Sequence, residues 1–413
     1  MREPPPTRLT LAEHTDLLQW LENGDDPDID LNRVQNVHIW ALVALATLAG
    51  KNRFPTRINR YYSDRNNEPS RFAHAVGYDH LVGGSPPSTA QEDWRTVRMR
   101  CVQKFADIEK VASAISHLVV YEGDDEETRS TLYYILVEFL RNAVQHSMSR
   151  AGAIVGAQLM DKTAEYADRP MIQVAVGDAG IGIMNSLASM HPEIADPHQA
   201  LVMAQQPWIS SRFPRGKRGS STNAGLGLYF ISEMAKRTAG RFLIASRGGS
   251  IFLEGDTNFQ QTHHIRDERP GYAGTIVVFE LPIGEIHDYH ALISLIQSLA
   301  TERIPRHIGP RLLRYEAAPK NVPSLRLSVH YGAEDTARAQ RLVEGSLLPR
   351  VAQGHAIELD FAGLRVCTQS YLHALLFLVI KDAHERNVPI YIINAGPAVM
   401  SSLDFLESYA LPE

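Results

Sequence analysis

The stretch Ser130-Thr-Leu-Tyr-Tyr-Ile-Leu-Val-Glu138-Phe-Leu-Arg-Asn142-Ala-Val-Gln-His146-Ser-Met148 decides how the centre of this chain folds. Leu132, Ile135, Leu136, Phe139, Leu140 and Ala143 recur at i, i+3, i+4, i+7, i+8 and i+11, one apolar stripe at helical period. Glu138, Asn142 and His146 interrupt this segment at intervals of four residues. Four residues advance a helix by about 400°, so the three polar groups nearly line up, roughly 6 Å apart per step. A carboxylate and a carboxamide on one face can hold a hydrated Mg²⁺ and polarise a water. The same spacing also describes a solvated polar stripe on an amphipathic helix.

Downstream, Val174-Ala-Val-Gly-Asp178-Ala-Gly180-Ile-Gly182 reads as a buried strand, Met171–Val176, running into an acid and two spaced glycines. The glycines permit positive φ and close approach of backbone to a ligand. A carboxylate at a strand end accepts a hydrogen bond from the exocyclic amine of adenine and repels the carbonyl oxygen of guanine, so Asp178 would select adenine. An ordinary Asp-Gly turn is the plainer account. Next, Asn223-Ala-Gly225-Leu226-Gly227-Leu opens a helix whose apolar face continues through Leu228, Ile231 and Ala235. Unpaired N–H groups at a helix start make an anion site, and bare glycines let phosphate approach. This Gly-x-Gly is neither the dinucleotide nor the P-loop fingerprint. Phe242–Ser246 and Thr275–Leu281 read as further strands, the latter opened by Gly274-Thr275 and closed by Pro282.

The ordered series E-x-x-x-N on a helix, D-x-G-x-G after a strand, G-x-G-L at a helix start and G-T into a strand resembles the GHKL superfamily of ATPases and kinases, over about residues 128–282. The resemblance implies a Bergerat-type α/β sandwich, with helices on one face of a mixed sheet. It implies ATP and Mg²⁺ as ligands. Glu138 then matches the general base, which also shapes the metal shell. Asn142 matches the Mg²⁺ ligand and Asp178 the adenine-reading acid. Gly180 and Gly182 match the pocket floor. Asn223, Gly225, Leu226 and Gly227 match the phosphate loop, Thr275 the adenine-side threonine, and His146 a supporting position. The basic, glycine-bearing interval from Trp208 to Asn223 corresponds to an ATP lid, with Arg212, Lys217 and Arg218 as candidate phosphate contacts. Lid closure in this family accompanies dimerisation, so a homodimer is expected.

The C-terminal unit reads as a strand at Ala356–Asp360, an apolar helix through Tyr371–Leu378, a strand at Pro389–Ile393 and a helix at Met400–Tyr409. It resembles a STAS-like domain over about residues 323–413. Ser370 falls where anti-sigma antagonists carry a phosphorylated serine, although Thr368 and Tyr371 depart from the usual neighbours. A helix-start hydroxyl serving as N-cap is the plainer reading of Ser370. A STAS-type protein partner is implied.

Working outward, we expect an α/β (α+β) protein in four parts. Residues 1–120 form a mixed region, containing an N-terminal helix at Leu9–Glu22, an apolar helix at Val37–Leu48 and a loop at Gly77–Glu92, with a faint STAS-like echo. Residues 121–285 form the ATP-binding domain, 286–322 a helical linker with a helix at His287–Thr301, and 323–413 the STAS-like domain. His263 and His264 fall in Gln260–Pro270, which reads as a polar hairpin loop. Forty-seven acidic against 41 basic residues give a net charge of −6, which argues against a nucleic-acid-coating surface. Two distant cysteines, Cys101 and Cys367, exclude a four-thiolate zinc site and a disulfide framework. Residues Met1–Thr7 carry no apolar signal segment, and no apolar run reaches membrane-spanning length. A cytoplasmic location is expected.

Overall fold

The computed structural model describes residues 6–23, 30–49, 67–83, 95–119, 133, 135–141, 143–144, 152–160, 170–209, 226–255, 263–283, 289–301, 311–329, 336–364 and 367–411. The chain divides into two compact units. The first comprises Met1–Gly123, Phe139–Gln206 and Ile231–His287; the second comprises Asp124–Glu138, Pro207–Phe230 and Asp288–Glu413.

The first unit begins with β1 (Arg8–Leu9), α1 (His14–Asn23), β2 (Asn36–Val37), α2 (Ile39–Ala49), α3 (Glu68–Ala75), α4 (Tyr78–Gly83), β3 (Thr96–Val102) and α5 (Phe105–Val119). A helix, α6, covers 135–141, of which the residues from Phe139 on belong to this unit. It is followed by β4 (Ala153–Met160), β5 (Met171–Asp178), α7 (Ile183–Leu187), α8 (Pro197–Ala204), α9 (Gly227–Arg237, in this unit from Ile231 on), β6 (Arg241–Ser246), β7 (Gly249–Gly255), β8 (His263–Glu268) and β9 (Thr275–Pro282). Strands β3-β4-β5-β9-β6-β7-β8 form one seven-stranded sheet. Every neighbouring pair in it is antiparallel, where a mixed sheet was expected.

Helix α2 shows how the N-terminal region meets the sheet. Its sequence, Ile-Trp-Ala-Leu-Val-Ala-Leu-Ala-Thr-Leu-Ala, is apolar all round, so it is stable only when covered on every side. It packs on β4 and β5, and Ile39–Leu48 are all buried. No Ser, Thr, Asp or Asn precedes Ile39, so its first N–H groups lack a local cap. The sheet supplies one. Ile39 N–H donates to Gln158 Oε1 at 2.6 Å and Trp40 N–H to Gln173 Oε1 at 3.0 Å. Gln173 Nε2 in turn donates to Glu280 Oε1 at 2.6 Å. Further along, the Tyr272 hydroxyl donates to the Ala44 carbonyl at 2.7 Å. Strand β3 closes one edge of the same sheet, its register shifting between Val97 and Arg100.

Side chains alternate across β9. Ile276 and Val278 share a core with α2, and Phe279 meets Phe139 of α6 edge-on at 5.3 Å. Helices therefore cover both faces of the sheet rather than one. Two local expectations also change. The expected loop at Gly77–Glu92 begins with α4, set off by Gly77 at φ 83° and anchored by the buried Tyr78. The expected hairpin loop around His263 and His264 is β8, paired to β7 along its length. An edge strand tolerates the polar sequence that made this segment read as loop.

The second unit contains α10 (Tyr289–Thr301), β10 (Leu313–Arg314), β11 (Ser324–Arg326), α11 (Thr336–Leu342), α12 (Leu348–Ala352), β12 (Ile357–Asp360), α13 (Gln369–Glu385), β13 (Ile390–Ile393) and α14 (Pro397–Ala410). One π-helical turn, Val343–Leu347, joins α11 to α12. The sheet order is β10-β13-β12-β11, and all pairs are parallel. Parallel pairing requires crossover connections, and α13 supplies the one between β12 and β13. The expected 286–322 linker belongs to this unit. Helix α10 packs on α14, and the backbone N–H groups of Leu312 and Leu313 both donate to Glu407 Oε1 on α14, at 2.7 and 2.9 Å. No helix among the described residues is long and apolar enough to cross a membrane.

Candidate functional site

In the first unit, Asp178 ends β5 and lies opposite Ala153 of β4 and Thr275 of β9. It is 5% exposed. Its Oδ1 accepts the Gly180 N–H at 2.7 Å, so the carboxylate folds its own loop into an Asx-type turn. Gly182 follows at φ 82°, a conformation that favours glycine, and precedes α7. The loop is held from below. Ser246 Oγ accepts the Ile183 N–H at 3.0 Å and donates to the Gly274 carbonyl at 2.8 Å. Arg247 Nη2 donates to the Gly180 carbonyl at 3.1 Å. A Cβ on Gly274 would sit on the Asp178 carbonyl oxygen and 2.6 Å from Ala179 Cα, so only glycine lets β9 begin this close to the acid. Burial pushes the Tyr272 hydroxyl well above its ordinary pKa, opposed by a Thr47 hydrogen bond and reinforced by the charge of Asp178.

Asp178, Gly180, Gly182 and Thr275 thus gather on one shelf. The set combines a buried acid, a glycine-lined turn and a neighbouring hydroxyl residue. Ser246, Arg247 and Tyr272 support the shelf. No spacing rule marked them, because each acts through a contact with residues distant in the chain.

In the second unit, Glu138 is 8% exposed and its carboxylate is engaged at both oxygens. Oε1 accepts the Ser370 N–H at 2.9 Å, and Oε2 accepts the Ser370 hydroxyl at 2.7 Å. Ser370 is not the N-cap of α13. That role belongs to Thr368, whose backbone is extended (φ −66°, ψ 148°) and whose hydroxyl accepts the Tyr371 N–H at 3.1 Å. Beside this pair, Gln369 Nε2 donates to the Tyr409 hydroxyl at 3.2 Å, and His373 Nδ1 lies 2.9 Å from the same oxygen. Burial is the main cause that lifts the Tyr409 pKa well above its ordinary range; the Gln369 bond opposes it and the charge of Glu138 adds to it. Trp208, at φ 68°, packs against Tyr409 with ring centroids 4.6 Å apart and planes tilted by 54°, and donates its indole N–H to the Ala300 carbonyl at 3.1 Å. The Tyr229 hydroxyl donates to the Ile296 carbonyl at 3.2 Å, one turn earlier on α10. The sequence hinted at this network only through polar residues, Gln369, Ser370 and His373, inside an apolar helix.

Helix α9 starts at Gly227, and Leu226 before it is buried. Asn142, His146, Asn223 and Gly225, together with the lid candidates Arg212, Lys217 and Arg218, lie outside the described residues. Among the described residues no cluster of three or more His, Cys, Asp or Glu could hold a metal ion. The sequence matches no protein-family model and no curated protein.

Proposed function

We propose that the chain is an ATP-binding conformational switch of GHKL type, with slow Mg²⁺-dependent hydrolysis resetting it. The observation that carries this reading is the shelf at Asp178. It offers a buried carboxylate at a strand end, folded onto Gly180, beside a glycine that sterics require at 274. Asp178 would accept a hydrogen bond from the adenine amine and reject guanine. The N–H groups at the start of α9 suit phosphate oxygens. Mg²⁺, when bound, supplies neutralisation of the phosphate charge, with Asn142 as the ligand the resemblance implies. Glu138 would orient the attacking water and take its proton. A homodimer, a STAS-type partner and a STAS-like character of the parallel C-terminal sheet belong to this same proposal.

A second reading, a serine kinase acting on its own C-terminal unit, has one observation in its favour: the Ser370 hydroxyl donates to Glu138, as an acceptor alcohol would to a base.

Calorimetry with Mg²⁺ present tests the nucleotide reading. We expect uptake of ATP and not of GTP, and loss of at least about tenfold in affinity in Asp178→Asn, the size of one charge-assisted hydrogen bond. Equal affinity of ATP and GTP, or no uptake of either, refutes it.

A further inference from the structure

We propose that Ser370 and Glu138 form a latch, in which the start of α13 holds the carboxylate needed for ATP turnover and releases it when nucleotide binds. The inference rests on the nucleotide reading above and adds its regulation.

The first support is the geometry of the contact. Glu138 is held by both the backbone and the side chain of one residue, at 2.9 and 2.7 Å, across 232 positions of chain. A carboxylate held at both oxygens in this way is poorly placed to orient a water. The second is that α13 does not need the Ser370 hydroxyl for its own start. Thr368 already caps it, and the Leu372 N–H closes the first turn on the Thr368 carbonyl at 2.9 Å. Ser370 is left with a first-turn N–H that the Thr368 cap does not take and a hydroxyl, both donated to Glu138. The third is electrostatic. A carboxylate at a helix N-terminus is favoured by the helix dipole. Both partners are nearly sealed from water, Ser370 at 4% exposure and Glu138 at 8%.

The same geometry argues against Ser370 as a phosphoryl acceptor. A phosphate on its Oγ would place a dianion against Glu138. An acceptor also needs no backbone tie to the base, and this one has it.

Two variants and one exchange measurement test the latch in the full-length chain. Ser370→Ala removes the hydroxyl donor while keeping a good helix residue. Ser370→Asp keeps a residue favoured in a first turn and sets a second carboxylate against Glu138. With ATP affinity unchanged by calorimetry, we expect saturated turnover to rise about tenfold in Ser370→Ala, equivalent to about 1.4 kcal/mol, and at least as much in Ser370→Asp. In the wild-type chain, a non-hydrolysable ATP analogue with Mg²⁺ should speed amide exchange over residues 369–372. Unchanged turnover in both variants, with ATP still bound and exchange unaltered, overturns the latch. Transfer of label from γ-labelled ATP to Ser370 overturns it in favour of the kinase. Absence of ATP binding overturns the nucleotide reading on which it rests.

Discussion

Replacing Gln173 by Leu should destabilise the first unit by about 2–5 kcal/mol, because that amide ties the start of α2 to Glu280 of the sheet. Gln173 and Glu280 are both fully buried, and Gln173 makes two bonds there. Its oxygen accepts the Trp40 N–H, which would be left buried without that acceptor, at about 1–3 kcal/mol. Its nitrogen donates to Glu280, a charge-assisted bond of about 1.5–3 kcal/mol. Arg241 Nη1, 3.6 Å from Glu280 Oε2, lies beyond good hydrogen-bond distance to take the place of that bond. The added apolar surface of Leu offsets about 1 kcal/mol. Urea unfolding, followed at a probe in the first unit, reads the change as a lower midpoint at constant slope. Amide exchange at Trp40 should accelerate in parallel. A Gln173→Leu chain within about 1 kcal/mol of wild type, with Trp40 still protected, would show that α2 is not tied to the sheet by this bond.

Two further outcomes follow from single side chains. His38 has its pKa lowered to about 4, first by burial and then by the charges of Arg241 and Arg8. The unfolded chain takes up that proton near pH 6.5 and the folded chain only near 4, so stability is full above 6.5 and falls by about 3 kcal/mol as pH drops through this window. His38→Gln should flatten that part of the urea-midpoint profile against pH, and a profile unchanged in shape refutes the assignment. Trp208 holds φ at 68°, costly for a bulky residue, while its ring packs on Tyr409 and Phe405. Trp208→Ala should cost about 2–3 kcal/mol, and Trp208→Gly about 1 kcal/mol less than that, reversing the usual order of Ala over Gly. Unfolding midpoints of the two variants decide it.

The elements that could be read from the chain are those whose signal is local. Strands β5 and β9, the start of α9 at Gly227, and the β12-α13-β13-α14 run each carry their own periodicity and their own turn residues. Helix α2 was also legible as an apolar segment, but its place was not. Its caps come from Gln158 and Gln173, 119 and 133 residues further on, so the chain around it reads as a separate region. Strand β8 was missed because an edge strand need not alternate apolar and polar residues. At the site, Asp178 and its glycines follow from a strand running into a turn, and the structure brings Thr275 beside them by register. Which hydroxyl caps α13 was not legible. Thr368 and Ser370 are both chemically suited, and only the extended backbone at Thr368 decides between them.

Glu138 stands out in the sequence through an ordered series of motifs, and Ser370 through the STAS-like resemblance of the C-terminal unit. The structure joins them by two hydrogen bonds. A structural role alone accounts poorly for the choice of residues. Burying a carboxylate costs desolvation that two donors and a helix dipole roughly offset, and an apolar pair of the same volume would hold two helices as firmly. What a carboxylate has, and a leucine lacks, is the capacity to exchange one donor for another at small net cost. A serine N–H and O–H can be replaced at Glu138 by a water without leaving the charge unsolvated. The pair is therefore suited to a contact that opens and closes, as the proposed latch requires.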